Sequence, residues 1–409
     1  MTLRLYEVLL RGDTVGTLAE DNDGRIGFRF SPAYRESPVR PVLSQSFEDN
    51  LEKTYWGKRP GRLPSFFGNL LPEGKLRSVL ETSFGVSEDD DLGLLAAVGH
   101  DLPGAVTLRL ADADSVEIEN AEVGGANGNG DDRHEGLRFS LAGVQLKFSM
   151  SRSGERFTLP AHDEKGDWIV KIGSPEYPGS AANEYAMMSW SRAAGFDVPD
   201  IQLLQADAVS AIRRHLPDAA PVFAVRRYDR IGGESIHQED FAQMIGAEAR
   251  RKYEGSYDQL GLIVRTLLGH DSYREFIRRL ALAIAIGNSD AHLKNWSLIY
   301  PDNRKPQLAP VYDQVATIVW PQLDRRLALK FAGAKEFGRV GVDSFQRLAR
   351  KAGGDPDEAA RIAATTAIEL RTSWAVVRDE NVVPTEHAIA LVNHWRNVPL
   401  LREAGGLGE

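Results

Sequence analysis

The stretch GNSDAHLKNWSLIY, residues 287–300, sets Asp290, His292, Lys294 and Asn295 within six positions, directly behind the apolar run LALAIAIG. Such a run reads as a buried helix end or strand, so the polar cluster stands at the lip of a packed core, where binding sites form. Asp290 precedes Asn295 by five residues, the interval between the base and the metal-holding Asn in kinase catalytic loops. A site of that kind needs a second carboxylate. Asp313, in the apolar segment QLAPVYDQVA, follows at the distance of a short hairpin.

Working outward, 409 residues with 42% hydrophobic content suffice for two or three domains with substantial cores. The 49 Lys and Arg against 58 Asp and Glu give a formal charge of −9, which disfavours polyanionic nucleic acid as a direct, whole-surface partner. With no cysteine, disulfides, Cys-ligated zinc, iron–sulfur clusters and thiol nucleophiles are excluded, and a reducing compartment is expected. The opening segment MTLRLYEVLLRGDTVGTL is interrupted by Arg4, Glu7 and Arg11, so neither a secretory signal nor a membrane anchor is expected there. The reading is a cytoplasmic protein with no membrane contact.

Residues 1–30 alternate apolar and polar around the turn-rich clusters RGDTVG and DNDGR, which predicts short antiparallel strands. PSFFGNLLPEGKLRSVL (64–80) carries a helical apolar stripe and GAVTLRL (104–110) reads as a strand, so residues 1–112 form a first α+β domain. Residues 113–136, acidic and glycine-rich, read as a linker. Beyond it LRFSLAGVQLKFSM alternates on both sides of Ala142 and Gly143, as two strands around a tight turn would, and DWIVKI follows as a further strand. AANEYAMMSWSRAAG (181–195) has helical spacing ending at a glycine, and VPDIQLL and VFAVRRYDR complete a sheet over 137–225. From Glu239 the pattern turns helical almost throughout, with a helical tail from Phe345 to Leu401, so 226–409 is expected to be a helical lobe.

Phosphoryl transfer from a nucleotide needs a loop over the phosphates, a cation on them, a carboxylate near the acceptor hydroxyl and metal-holding oxygens. The chain offers each in order. SLAGVQLK, Ser140 to Lys147, supplies the loop: Gly143, flanked by Ala142 and Val144, lets the backbone approach closely, and Gln145 and Lys147 add donors. Lys171, in the strand WIVKI, is placed as the Lys of VAIK-type strands, with Glu184 on the next helix to orient it. Asp290 would steer or accept the hydroxyl proton. Asn295 and Asp313 would hold Mg2+, which favours hard oxygen ligands.

Taken singly, a glycine hairpin, a strand lysine or a helix-capping Asp is ordinary structure; it is their agreement in order that carries weight. GxSxG, HExxH and GxxxxGK[ST] are absent, and GANGNG lies in the linker without strand or helix beside it. Asp290 with His292 could instead ligate a metal in a phosphohydrolase, a reading that leaves Lys171 and the hairpin unexplained.

At these residues the sequence resembles the HipA family of bacterial serine/threonine kinases, the toxin halves of toxin–antitoxin pairs. SFFGNLLPEG (65–74) and VGHDLPGAVTL (98–108) resemble the family's N-terminal domain; SLAGVQLK, IVKI, ANEY, DVPD, RRYDR, HQEDF, SDAHLKN and LAPVYD resemble its kinase core. The fold implied is α+β: a small N-terminal α+β domain, then a two-lobed protein-kinase-like core, similar to phosphatidylinositol kinases, with a mostly helical C-terminal lobe. By resemblance Lys171, Asp290, Asn295 and Asp313 take the roles just argued, Arg226, Arg227 and Tyr228 form the hinge touching adenine, and His292 and Lys294 belong to the nucleotide-side catalytic loop. Leu146 stands where the family often carries an acidic residue. The resemblance further implies ATP and Mg2+ as cofactors and self-inactivation by phosphorylation of Ser140. It implies a HipB-like DNA-binding antitoxin as partner, with DNA met only through it, and an aminoacyl-tRNA synthetase as substrate. A lipid or small-molecule kinase, from the same Asp, His and Asn spacing, and a pseudokinase partner of the antitoxin are the alternatives.

Overall fold

The computed structural model describes residues 4–111, 147–154, 156–160, 165–205, 207–209, 212, 221–379 and 383–403. The expected linker and the loop residues Ser140, Ala142, Gly143, Val144, Gln145 and Leu146 lie outside the described residues. Two compact units emerge, and they interleave along the chain. The first is Met1–Ile169 with Asp229–Ala249 and Ile299–Lys305; the second is Val170–Tyr228 with Arg250–Leu298 and Pro306–Glu409.

The first unit opens with strands β1 (Leu5–Leu10), β2 (Asp13–Glu20), β3 (Ile26–Phe30), β4 (Tyr55–Trp56) and β5 (Val106–Leu110), hydrogen-bonded in the order β4-β3-β2-β1-β5. Every neighbour is antiparallel. The β1–β2 hairpin closes through Arg11 and Gly12 at φ +55° and +93°, with Leu10 paired to Asp13. Both central residues thus have the positive φ that a two-residue turn matched to strand twist requires. One face of the sheet buries an aromatic cluster, in which the Phe28 ring lies 4.8 Å from Phe30, 5.7 Å from Phe47 and 4.8 Å from Phe67. Phe66 and Phe67 come from SFFGNLL, whose apolar stripe forms the helix Ser65–Gly68.

Two returning segments are joined to this unit by buried polar groups. Arg230, 5% exposed, donates to Asp101 Oδ1 at 3.0 Å, to the carbonyls of Leu102 (2.9 Å) and Gly104 (2.8 Å) and to Asp229 Oδ2 (2.9 Å). Asp229 Oδ2 also accepts from the Gly104 N–H at 2.7 Å, and Asp101 Oδ2 from Ser149 at 2.5 Å. The VGHDLPG and RRYDR motifs therefore meet here as structure. Similarly, Glu239, fully buried, accepts from Ser44 Oγ at 2.5 Å, from the Gln45 N–H at 3.0 Å and from the Tyr300 hydroxyl. His237, two residues back on the same strand face, donates through Nε2 to Leu43 O at 2.8 Å and stacks on Tyr300 at 5.5 Å.

In the second unit Val222–Arg226 pairs antiparallel with Ile201–Leu204 and lies beside the strand Trp168–Ile172, which belongs to this unit from Val170 onward. The helix Ser180–Ala193, the sequence-predicted one, packs on this sheet and on the long helix Pro356–Asp379. Pro356–Asp379 also packs on His270–Ile286 and Val342–Ala352. A tryptophan trio closes this core: Trp190, Trp374 and Trp395 have centroids 5.0 to 5.6 Å apart. The indole N–H of Trp190 reaches Leu370 O at 3.0 Å and that of Trp395 reaches Ala285 O at 2.7 Å, so neither donor is lost on burial. The reading of 239 onward as helical almost throughout is corrected by the antiparallel pair Arg326–Phe331 and Ala334–Glu336. In RLALKF the residues Leu327, Leu329 and Phe331 are buried while Arg326 and Lys330 face out; this period of two is masked in the sequence by the buried Ala328. Among the described residues no helix is long and apolar enough to cross a membrane.

Glu239 and His237 give the first unit opposed pH dependences. Burial pushes the Glu239 carboxyl up to about 7, against the pull of its hydrogen bonds from Ser44, Tyr300 and Gln45. Its stabilisation is present below the ordinary value of 4.5 and lost as pH rises through about 7. Burial pushes the His237 imidazole down to about 4, against the Leu43 hydrogen bond and the Asp229 charge; its stabilisation is present above 6.5 and lost as pH falls through about 4. Each effect is on the order of 3 kcal/mol and the two oppose each other across their shared window. In Glu239→Gln only the His237 limb remains, so the urea midpoint of the first unit should rise more steeply from pH 4.5 to 6.5 than in the wild type. Parallel profiles would refute the assignment.

Candidate active site

The apolar run behind the opening stretch is the end of the helix His270–Ile286, buried on every side from Leu280 to Ile286. Gly287 stops it at φ +67°, and the Asn288 N–H reaches back to Ala283 O at 3.0 Å, satisfying a carbonyl of the last turn. A Cβ at residue 287 would also stand 2.4 Å from Ile318 Cγ1, so both conformation and packing require glycine. The chain therefore leaves the helix at a fixed angle.

The loop that continues from Gly287 has almost all of its polar groups committed. Asn288, 1% exposed, accepts the Asp290 N–H at 3.0 Å and donates from Nδ2 to Asp313 O at 3.2 Å. The Ser289 N–H donates to Thr317 Oγ1 at 2.6 Å, and Thr317 donates to Gly287 O at 3.1 Å. Asp290 O accepts from the His292 N–H and from Asn295 Nδ2, both at 2.7 Å, while the Asn295 N–H donates to His292 O at 2.9 Å. Sequence reasoning missed Asn288 and Thr317. The signal for Asn288 was its place between the glycine stop and the Asp; Thr317 has none.

On the strand Trp168–Ile172, Lys171 is 3% exposed. Its Nζ donates to Glu184 of the helix Ser180–Ala193 and to Asp313 Oδ1, and lies 5.7 Å from the centre of the Phe223 ring on the adjacent strand. Burial alone would depress the Lys171 ammonium, but the Asp313 and Glu184 carboxylates outweigh it and hold the group above the usual lysine range. Asp313 has φ +51°, a left-handed conformation that costs a non-glycine residue about 1–2 kcal/mol. The hydrogen bonds to Asn288 and Lys171 hold it there. The adjoining Tyr312 donates to Lys294 O at 2.9 Å, and its ring lies 5.5 Å from Tyr228.

The structure thus brings together Lys171, Glu184, Asp313 and the loop Asp290 to Asn295, with Tyr228 reached through Tyr312. Arg226 is exposed at the end of its strand and its N–H donates to Asp200 O at 2.8 Å, while Arg227 is buried. Lys147 belongs to the first unit, buried at the head of the strand Lys147–Ser153. The Asp290 carboxylate is half exposed, its Oδ1 accepting from the Tyr253 hydroxyl and lying 3.8 Å from His292 Nε2.

The donor set fits a hard cation carried with phosphate. Asn295 uses its amide nitrogen on Asp290 O, leaving a carbonyl oxygen, and the Asp313 side chain is 25% exposed against 4% for Lys171. Mg2+ is commonly held by one or two such oxygens together with substrate phosphates; among the described residues no cluster of three His, Asp or Glu side chains forms a full cage.

Comparison with known proteins agrees with this architecture. Residues 139–374 match the HipA-like C-terminal domain and residues 6–109 the HipA N-terminal domain. A Sinorhizobium fredii protein named "Putative kinase Y4dM" is 38% identical over 98% of this chain and 98% of its own. The "Serine/threonine-protein kinase toxin HipA" of Shewanella oneidensis is 25% identical over 83% of each chain. A solved Shewanella oneidensis complex of HipA, HipB and operator DNA superposes with a TM-score of 0.73 at 20% identity, covering 98% of this chain and 96% of that one, which establishes the shared fold. The class is a two-domain α+β protein with an N-terminal domain and a kinase-like core. The chain belongs to the HipA family.

Removing one partner of a buried ion pair strands the others, at roughly 3–5 kcal/mol. Lys171→Met should therefore destabilise the second unit by about 3 kcal/mol in urea unfolding at neutral pH, and the further change Glu184→Gln should recover part of the loss. A Lys171→Met protein as stable as the wild type would show that the three charges are not coupled in solution.

Proposed function

We propose that this chain is an ATP-dependent serine/threonine protein kinase acting as the toxin of a toxin–antitoxin pair. The observation that carries the reading is the buried Lys171 ammonium shared by Glu184 and Asp313, next to a loop in which Asp290 and Asn295 are five residues apart. A pseudokinase would be expected to have lost one of these groups, and all are present.

In this reading Asn295, through its amide oxygen, and Asp313, through its carboxylate, hold Mg2+ brought with ATP. The bound ion supplies charge neutralisation on the transferring phosphoryl group. Lys171 steadies the nucleotide phosphates, with Glu184 fixing its orientation. Asp290 orients the acceptor serine hydroxyl and takes its proton as the new O–P bond forms and the bond to the ADP oxygen breaks. Tyr228, with Arg226 and Arg227, forms the adenine side.

As the resemblance of the motifs implies, the acceptor protein in this reading is an aminoacyl-tRNA synthetase, with growth arrest as the outcome and the cytoplasm as the compartment. A HipB-like DNA-binding antitoxin as partner is supported by the Shewanella complex of HipA, HipB and operator DNA. Ser140, outside the described residues, is the proposed site of self-inactivation: a phosphate there adds nearly two negative charges where ATP phosphates would lie.

Wild-type protein incubated with Mg-ATP should carry phosphate on Ser140 by peptide mass spectrometry, whereas Asp290→Asn, nearly isosteric, should fold normally and carry none. Phosphate on Asp290→Asn at the wild-type rate would overturn the assignment. In calorimetry with a nonhydrolysable ATP analogue, Asp313→Asn should weaken Mg2+-dependent nucleotide binding by roughly tenfold or more, one anionic ligand being lost. Unchanged affinity and stoichiometry would mean another carboxylate holds the ion.

A further inference from the structure

The segment ARRKYEG, residues 249–255, has no part in the machinery above, yet its tyrosine touches the proposed base. The Tyr253 hydroxyl donates to Asp290 Oδ1 from 37 residues away in the chain. Among the described residues Asp290 Oδ2 accepts no hydrogen bond from any other group. A carboxylate held by one oxygen and open at the other is oriented and still able to receive a proton.

The tyrosine itself is held on several sides. Its ring stands edge-on to His292, 5.0 Å between centroids at 81°. The carbonyl of Lys252 accepts the Leu293 N–H at 3.1 Å, tying the segment to the catalytic loop. On the other side Lys335 Nζ donates to Tyr253 O at 3.4 Å, and Gly255 O accepts the Lys330 N–H at 3.3 Å, tying it to the strand Arg326–Phe331. Although the residue is 43% exposed, its backbone is anchored before and after the side chain.

We propose that Tyr253 is a positioning residue for Asp290: it fixes the carboxylate rotamer through Oδ1 and turns Oδ2 to the acceptor hydroxyl. This rests on the kinase reading, with Asp290 as base. The effect should fall on the chemical step and leave nucleotide binding alone, because Tyr253 touches neither Lys171 nor Asp313 in the described contacts.

The test uses the full chain with Mg-ATP as the only added substrate, measuring ADP release and phosphate incorporation into the chain itself. Tyr253→Phe keeps the ring on His292 and removes only the hydroxyl. It should lower the self-phosphorylation rate constant at saturating Mg-ATP by roughly tenfold, the scale of one hydrogen bond to a charged group, with the half-saturating Mg-ATP concentration within about twofold and an unchanged thermal midpoint. A Tyr253→Phe enzyme with an unchanged self-phosphorylation rate constant overturns the proposal, and a faster one overturns it by showing that the tyrosine blocks the acceptor. Asp290→Asn working at the wild-type rate would instead overturn the kinase reading of Asp290, a result distinct from any obtained with Tyr253→Phe alone.

Discussion

The Lys171 ammonium is taken out of water between a helix carboxylate and a loop carboxylate, and the geometry of the second unit is arranged around that fact. Desolvating an ion costs several kcal/mol after relaxation, and a buried pair often does no more than recover that cost. A well-packed apolar trio would serve stability equally well. The charges fix relative positions instead: Glu184 sits on a helix, Lys171 on a strand and Asp313 in an irregular segment at positive φ. One ammonium bonded to both carboxylates brings three elements of different kind into register. Asp313 is the member open to the outside, so the trio presents one carboxylate while burying the other.

The loop from Asn288 to Asn295 is held by a different device, the satisfaction of backbone groups. A helix that ends in the core must find partners for its last carbonyls and for the N–H groups beyond them. Gly287 and Asn288 meet the first demand, Asn288 and Thr317 meet the second, and the Asn295 amide donates to the Asp290 carbonyl further on. Asn288 binds the Asp290 N–H with one end and the Asp313 carbonyl with the other. The two proposed functional carboxylates are thereby referenced to a single buried amide. That connection is independent of the Lys171 trio, which reaches Asp313 through its side chain and leaves Asp290 untouched in the described contacts. Asp313 is thus held at both its carboxylate and its carbonyl, which is what a strained non-glycine conformation needs to persist.

Much of this was legible because local sequence and local structure coincide. The strand around Lys171, the helix carrying Glu184, the loop from Asp290 to Asn295 and the position of Asp313 all follow from short-range patterns. What was hidden depends on long-range contacts. The Tyr253 to Asp290 contact spans 37 residues and leaves no periodic trace. Asn288 was passed over in the sequence, and only the Asp313 carbonyl, 25 residues on, shows why an amide is needed there. Arg326–Phe331 alternates as a strand should, but Ala328 breaks the pattern and the surrounding helices swamp it. The interleaving of the two units was equally invisible, since residues 229–249 and 299–305 return to the first unit through contacts made by Arg230, His237, Glu239 and Tyr300.

Those returning segments show why motif prominence alone does not locate chemistry. RRYDR and HQEDF are as conspicuous in the chain as SDAHLKN, with the same mixture of charge and amide groups. Yet Arg230, Asp229, His237 and Glu239 are all nearly or wholly buried, and the polar partners described for them are other parts of their own unit. Asp290, in contrast, keeps a carboxylate half open to solvent with one oxygen uncommitted by any described contact. A charge that is to act on something outside the protein must keep part of itself unsatisfied, whereas a charge that holds the fold together must not. Exposure at one atom of an otherwise restrained group is therefore the feature that separates the proposed base from the structural acids around it, and it can be read only once the folded contacts are known.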